Sequence, residues 1–278
     1  YNLLSGGIMI KYVFSDIDGT ILNNKGEVTK YTKELIRESR LFFTLVSARS
    51  PQKMDKIIDE LGIGGIHIAF NGAIIFKREN DKNIILNSLP LDYNFVKKLI
   101  FDIRGRFPNI GISLYDEKSW NVDLVNSIIE QEKRIVHVDY NLVNFNDYFA
   151  SNKYLVYKVS FIENDINVFN KLIDYMRVNY SQDEISVQKS LSGYLEITHT
   201  NAQKAIGIEY IMNLYNIKKE NALAFGDGQN DISMFKSVGY AIAMENASDE
   251  VKKYANFITK SNIEDGVAYA IENFIKKI

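Results

Sequence analysis

The sequence predicts an α/β fold, a doubly wound and mostly parallel sheet interrupted by an inserted α/β domain. Three observations predict it. Short apolar runs at 12–14, 41–46 and 66–70 alternate with helical patterns, and such alternation in short units marks crossover-connected parallel strands. The first run ends in Asp16-Ile17-Asp18-Gly19-Thr20, which puts two carboxylates at the C-terminal end of a buried strand, where open α/β sheets bind ligands. Beyond a polar break at 78–83 the character of the chain changes. Residues 82–190 are therefore read as an α/β domain inserted into a core made of 9–81 and 191–278.

In chain order, the first strand runs into the acidic turn, where Gly19 allows a sharp change of backbone direction. Residues 29–40 read as a helix with Thr29 as N-cap and Leu35 and Ile36 as its apolar positions. The second strand, 41–46, ends in Ser47-Ala48-Arg49-Ser50. Pro51 fits the first turn of the next helix, whose Met54, Ile57, Ile58 and Leu61 recur at helical spacing. Gly62, Gly64 and Gly65 close it. A third strand at 66–70 is followed by an Asn71-Gly72 turn and a fourth apolar run at 73–76.

In the insert, strands are expected at 84–86, 110–115, 154–162 and 185–188 and helices at 93–106 and 165–180, while 119–151 shows no clear register. A strand at 194–197 then leads into a helix at 201–214. Lys204 lies in that helix's first turn, where a cation opposes the helix dipole, so its position implies an anionic partner. The buried strand 222–225 ends in Gly226-Asp227-Gly228-Gln229-Asn230-Asp231, with Asn230 placed to cap the following helix. A strand at 240–243, helices at 248–255 and 264–277, and a short strand at 257–258 complete the core.

Composition narrows the function. With 46% hydrophobic and 24% charged residues the chain is an ordinary globular protein, and its net charge of -2 offers no electrostatic case for nucleic acid or an anionic membrane as partner. It contains no cysteine, which excludes disulfides, thiol catalysis and Cys-ligated zinc. No apolar run reaches transmembrane length. Residues 1–8 lack a signal-peptide pattern, Met9 is the expected natural start, and the cytoplasm is the expected location. His67, His137 and His199 have no partners at metal spacing and read as core or surface residues.

Two carboxylates, a turn and a hydroxyl within five residues suit a Mg²⁺ site in which one aspartate is also a nucleophile. A solvated acidic turn fits that stretch alone equally well. What raises the chemical reading is the set: Asp16 and Asp18, Ser47, Lys204, and Asp227 with Asp231 all fall at strand ends or helix starts, and loops after successive strands of a doubly wound sheet converge on one crevice. Carboxylates serve a metal; a hydroxyl and an ammonium serve phosphate.

As an ordered set, DIDGT (16–20), SAR (47–49), FNGA (70–73), Lys204 and GDGQND (226–231) resemble the haloacid dehalogenase superfamily of phosphatases. Within it the chain looks like the Cof-type sugar-phosphate phosphatases, which carry a large C2-type cap on a Rossmann-like core. The runs 241–247 and 265–268 share the likeness.

The resemblance implies that Asp16 attacks phosphorus to form an aspartyl-phosphate, and that Asp18 protonates the leaving oxygen and then activates water. It implies Mg²⁺ held by Asp16, the Asp18 backbone carbonyl and Asp227, with Ser47 and Lys204 on the transferring phosphoryl group and Asp231 supporting Lys204 or a metal-bound water. Asn71 and Gly72 would line the substrate side, and Asn230 would touch phosphate or the metal's surroundings. The partner implied is a small phosphorylated metabolite, selected by the insert as it closes over the crevice. Arg49 is left out of the catalytic set, a structural role being open to it. Ser47-Ala48-Arg49 stands where the family commonly has Thr-Gly-Arg, and Ala205 where Gly usually follows the lysine. A phosphosugar mutase on the same core and a non-catalytic phosphometabolite-binding module are the competing readings. The long insert after the third strand opposes the first, and the presence of both Asp16 and Asp18 opposes the second.

Overall fold

The computed structural model describes residues 10–136, 138–151, 154–180, 185–189 and 193–275. The expected start at Met9, His137 and the last residues of the expected C-terminal helix lie outside them. The chain forms two compact units, one made of Tyr1–Arg49, Met54–Asn87 and Gln203–Ile278, the other of Ser50–Lys53 and Ser88–Ala202.

The first unit begins with β1 (Tyr12–Ser15), α1 (Lys30–Ser39), β2 (Phe42–Leu45), α2 (Pro51–Leu61), β3 (Gly65–Ala69), β4 (Ile74–Glu79) and β5 (Lys82–Ser88). Thr29 caps α1 as its sequence position predicts, accepting from the Thr32 N–H at 3.1 Å. β1 lies between its partners, with Tyr12 opposite both Phe42 and Ala222 in parallel register.

The third strand departs from expectation. β3 touches the main sheet through one parallel bridge, Val46 to Ile68, and pairs antiparallel with β4 in a separate sheet ordered β3-β4-β5. Asn71 and Gly72, with φ of 55 and 113, reverse the chain and send β4 back along β3. The polar break is a hairpin turn, with Asn80 and Asp81 at φ 49 and 59. The backbone N–H of Leu45, which would have joined a β3 ladder, donates to Nδ1 of the buried His67 at 3.1 Å.

The second unit continues with α3 (Tyr93–Arg106), β6 (Gly111–Tyr115), β7 (Trp120–Val122), α4 (Ser127–Val136), β8 (Asn141–Leu142), α5 (Phe145–Ala150), β9 (Lys158–Ile162), α6 (Ile166–Asn179), β10 (Ile185–Lys189) and β11 (Tyr194–His199). Its sheet runs β10-β11-β9-β6-β7-β8. Leu99 and Ile103 of α3 and Phe169 and Leu172 of α6 join Ile112, Leu114, Val159 and Phe161 in one core. Alternation along the strands leaves Ser113, Tyr115, Lys158, Ser160 and Glu196 on the other face. β11 pairs with β9 and β10 here rather than with the core sheet to which the sequence reading assigned 191 onward. Likewise β5 continues the β3–β4 sheet past residue 81. Alternation identifies a strand but not its partner, which is why both boundaries differ from those read in the sequence.

The chain returns to the first unit with α7 (Lys204–Leu214), β12 (Ala222–Gly226), α8 (Asp231–Ser237), β13 (Tyr240–Ala243), α9 (Asp249–Lys252), β14 (Phe257–Ile258) and α10 (Gly266–Ala270), the last continued by a π-helical turn at Ile271–Ile275. The main sheet is parallel throughout, ordered β14-β13-β12-β1-β2. Strand order reverses between β1 and β12, so their C-terminal ends flank the switch-point crevice of an open α/β sheet. No helix among the described residues is long and apolar enough to cross a membrane.

Candidate active site

Asp16 follows β1 directly, and its N–H donates to the Phe225 carbonyl of β12 at 2.9 Å. Its Oδ1 accepts from Lys204 Nζ at 2.5 Å, and the same ammonium donates to Asp231 Oδ1 at 2.6 Å. Lys204 is 1% exposed and Asp231 fully buried. This supplies the anionic partner that a lysine at a helix start implies. Oδ2 of Asp231 accepts from the N–H groups of Asp227 and Gly228, both at 2.9 Å, which fixes the loop after β12.

Asp227 completes the cluster. One carboxylate oxygen each from Asp16, Asp227 and Asp231 lies within 4.8 Å of the others. Asp227 Oδ1 accepts from Thr20 Oγ1 at 2.7 Å, and Asn246 donates to the Gly19 carbonyl at 2.8 Å and to Asp227 Oδ2 at 3.4 Å. Gly19 has φ 77, and a Cβ there would lie 2.3 Å from Asp227 Oδ2. Only glycine lets the two acidic loops approach this closely.

Charge does not balance here: three carboxylates face one ammonium. At about 4.8 Å and an effective dielectric of about 20, two like charges repel by about 3 kcal/mol. The consequence is visible in the proton affinities. Burial, opposed by Lys204 and reinforced by Asp231 and Asp18, holds the Asp16 carboxyl well above the usual carboxylate range. Burial, opposed by the Thr20 hydrogen bond and reinforced by Asp231, pushes Asp227 up to about 6. Burial also disfavours the Lys204 charge, but Asp16 and Asp231 outweigh it and shift that ammonium upward. A cluster of hard oxygen donors with surplus negative charge fits Mg²⁺. Asp231 is already committed to Lys204 and two N–H groups, so Asp16 and Asp227 are the side chains that could hold a metal.

Ser47 follows β2, is buried, and its carbonyl accepts from the Asn71 N–H at 2.8 Å. Its Oγ accepts from the Arg49 N–H at 3.2 Å. Gly72 is enforced by its surroundings, since a Cβ would lie 2.5 Å from the Gln203 carbonyl oxygen, next to Lys204. Asn230 does not cap α8 with its side chain as expected. It adopts helical φ and ψ, and its amide donates to Asn71 Oδ1 at 3.2 Å, joining the loops after β3 and β12. The Asp18 side chain is 59% exposed and turned toward Arg49 rather than into the cluster.

The structure thus joins Asp16, Lys204, Asp227 and Asp231 directly and pairs Asn71 with Asn230. Sequence reasoning counted the Thr20 hydroxyl in the acidic turn but missed Asn246 and the pairing of Arg49 with Asp18. Both sit inside quoted motifs, but only Asn246, next to Glu245, carries a local signal, an amide beside a carboxylate.

A family model for haloacid dehalogenase-like hydrolases matches residues 13–271. The chain belongs to that family. It is a Cof-type member and a phosphatase, that is, a phosphoric monoester hydrolase. Over 269 residues it is 26% identical to the 5-amino-6-(5-phospho-D-ribitylamino)uracil phosphatase YcsE of Bacillus subtilis (strain 168), covering 96% of each chain. Its fold matches a crystal structure from Thermotoga maritima with a TM-score of 0.84 at 26% identity, over 95% of this chain and 97% of the other. A haloacid dehalogenase-like hydrolase from Bacteroides thetaiotaomicron matches at 0.82 and 28% identity, over 95% and 98%.

Proposed function

We propose that this phosphatase is a cytoplasmic, Mg²⁺-dependent enzyme that hydrolyses a small phosphorylated metabolite, a sugar phosphate or similar phosphomonoester, through an aspartyl-phosphate on Asp16. The observation that carries the reading is the buried, charge-unbalanced group of Asp16, Asp227 and Asp231 around Lys204. The Bacillus relative's ribityl phosphate substrate supports the substrate class.

Asp16, pinned at Oδ1 by Lys204, attacks phosphorus with a carboxylate oxygen. The P–O bond to the leaving group breaks and Asp18 gives that oxygen its proton. Water then attacks phosphorus, gives a proton to Asp18, and the Asp16–phosphorus bond breaks. Ser47, Lys204 and Asn230 bind the phosphoryl oxygens, and Asn71 and Gly72 line the substrate side. Asp16, Asp227 and the Asp18 carbonyl would hold Mg²⁺, whose charge offsets the repulsion between carboxylate and phosphate. A phosphoryl site is generic, so choice among substrates is attributed to the inserted unit.

The test is turnover of purified protein on a panel of phosphorylated metabolites with Mg²⁺ and with excess chelator, paired with acid quench after mixing with labelled ester. Turnover confined to Mg²⁺ and label trapped in Asp18→Asn are expected. Full turnover in chelator, or no label in any variant, overturns the reading.

A further inference from the structure

We propose that Arg49 is a positioning residue that fixes the Asp18 carboxylate for proton transfer to the leaving group. Arg49 Nε donates to Asp18 Oδ2 at 2.8 Å and its terminal nitrogen to Oδ1 at 2.5 Å. This is the two-pronged geometry that gives an arginine–carboxylate pair its directional strength. A salt bridge between two exposed side chains fixes little, but this one is asymmetric. The arginine side chain is 20% exposed and the aspartate side chain 59%.

Arg49 is itself tied down at two backbone points. Its N–H donates to Ser47 Oγ at 3.2 Å, and its carbonyl accepts from the Phe70 N–H at 2.9 Å. The loops after β2 and β3 therefore form a frame, and the guanidinium carries that frame to a carboxylate of the loop after β1. Asp18, left alone, would be a mostly solvated side chain free to change rotamer. A general acid must come within hydrogen-bond reach of the oxygen it protonates, and misplacement by about 1 Å costs up to about 10²-fold. Arg49 removes that freedom while leaving the carboxylate open to solvent and hence to an arriving ester.

The inference rests on Asp18 being the proton carrier, and the experiment separates the two claims. Kinetics of the full chain with Mg²⁺ are compared for an alkyl phosphate, whose alkoxide needs a proton, and for p-nitrophenyl phosphate, whose leaving group departs without one. Arg49→Ala is expected to lower kcat/KM, which reports formation of the phosphoenzyme and not its hydrolysis, by about 10–100-fold on the alkyl ester and by only a few-fold on the aryl ester, with KM for the alkyl ester changed little. Arg49→Lys should fall between, and added guanidinium ion should restore part of the Arg49→Ala loss. On an Asp18→Asn background, Arg49→Ala should cost nothing further, because coupled residues are non-additive.

Equal losses of kcat/KM on both esters, a rise in the alkyl ester's KM as the main effect, or full additivity in the double variant would overturn the proposal. Loss of leaving-group dependence in Asp18→Asn alone would instead sink the assignment of Asp18. If Arg49→Ala fails to fold, Arg49→Lys, which keeps the charge but not the fork, decides by the same comparison.

Discussion

Lys158 and Lys204 are both buried lysines held by carboxylates, one in each unit of the molecule, and their surroundings differ in charge balance. In the second unit Lys158 meets Glu196 at 2.8 Å, and its ammonium stands 4.8 Å from the Tyr115 ring centroid. Lys158 and Glu196 match one to one in charge, over an aromatic face that Lys53 also approaches at 5.2 Å. In the first unit one ammonium is shared by Asp16 and Asp231 while Asp227 adds a third carboxylate. Burial is common to both. What marks the chemical site is the surplus, which folding alone would not retain and a cation or a phosphoryl transfer can use.

The largest effect should come from the surplus itself. Asp16→Asn removes the nucleophile, so turnover should fall by about 10⁴-fold or more with no labelled protein after acid quench. Retained phosphoenzyme in this variant would move the nucleophile elsewhere.

Asp227→Asn should separate function from stability. The folded, metal-free protein holds this carboxyl at about 6 against 3.8 for the ordinary group, so it favours the protonated form. Ionised Asp227 therefore subtracts stability progressively as pH rises from about 4 to about 6, and by a constant amount above that. Two units correspond to about 3 kcal/mol, and partial solvation of the group brings the expectation to about 1–3 kcal/mol. Urea unfolding in chelator should show Asp227→Asn more stable than the parent by that amount at pH 8 and equal to it near pH 4. Mg²⁺ should stabilise the parent only. A variant less stable than its parent at pH 8 would mean the cluster carries no surplus.

The balanced pair should behave oppositely. Lys158→Met leaves the half-buried Glu196 without its partner and should cost about 1–3 kcal/mol, whereas Lys158→Met with Glu196→Leu should recover most of that. Urea midpoints of the two variants check it, and a double variant no better than the single would make the pair more than structural. The smallest effect is expected from Thr20→Val, which removes the 2.7 Å bond to Asp227. That bond holds the Asp227 carboxyl down, so Mg²⁺ affinity should weaken a few-fold and its acid limb should move to higher pH, as metal titrations at pH 5.5–7.5 would show.

Much of the site was legible because its parts are contiguous in the chain. Asp16 and Thr20 are bound to one strand end, and Gly226 to Asp231 to another, so period and turn chemistry place them without knowledge of the rest. Lys204 was legible only through its odd position at a helix start. Arg49 was not, because its partner lies in a different loop and nothing local distinguishes a guanidinium that grips Asp18 from one in solvent. The fold divides the same way. Apolar runs located β1, β2, β12 and β13, but the antiparallel return of β4 depends on the positive φ of Asn71 and Gly72, and β11 joins the inserted sheet through long-range pairing that alternation does not encode.

His67 gives the experimenter an unlabelled listening post. Burial, opposed by the Ile63 carbonyl and reinforced by Arg78, lowers this imidazole to about 4, so it stays neutral under ordinary conditions. Nδ1 is occupied by the Leu45 N–H, which leaves the ring proton on Nε2. Leu45 ends β2, two residues before Ser47. The Nδ1 resonance in a nitrogen-15 spectrum therefore reports the length of one backbone contact beside the Ser47 loop, and a shift on adding a phosphate analogue would register tension along β2 without any introduced probe.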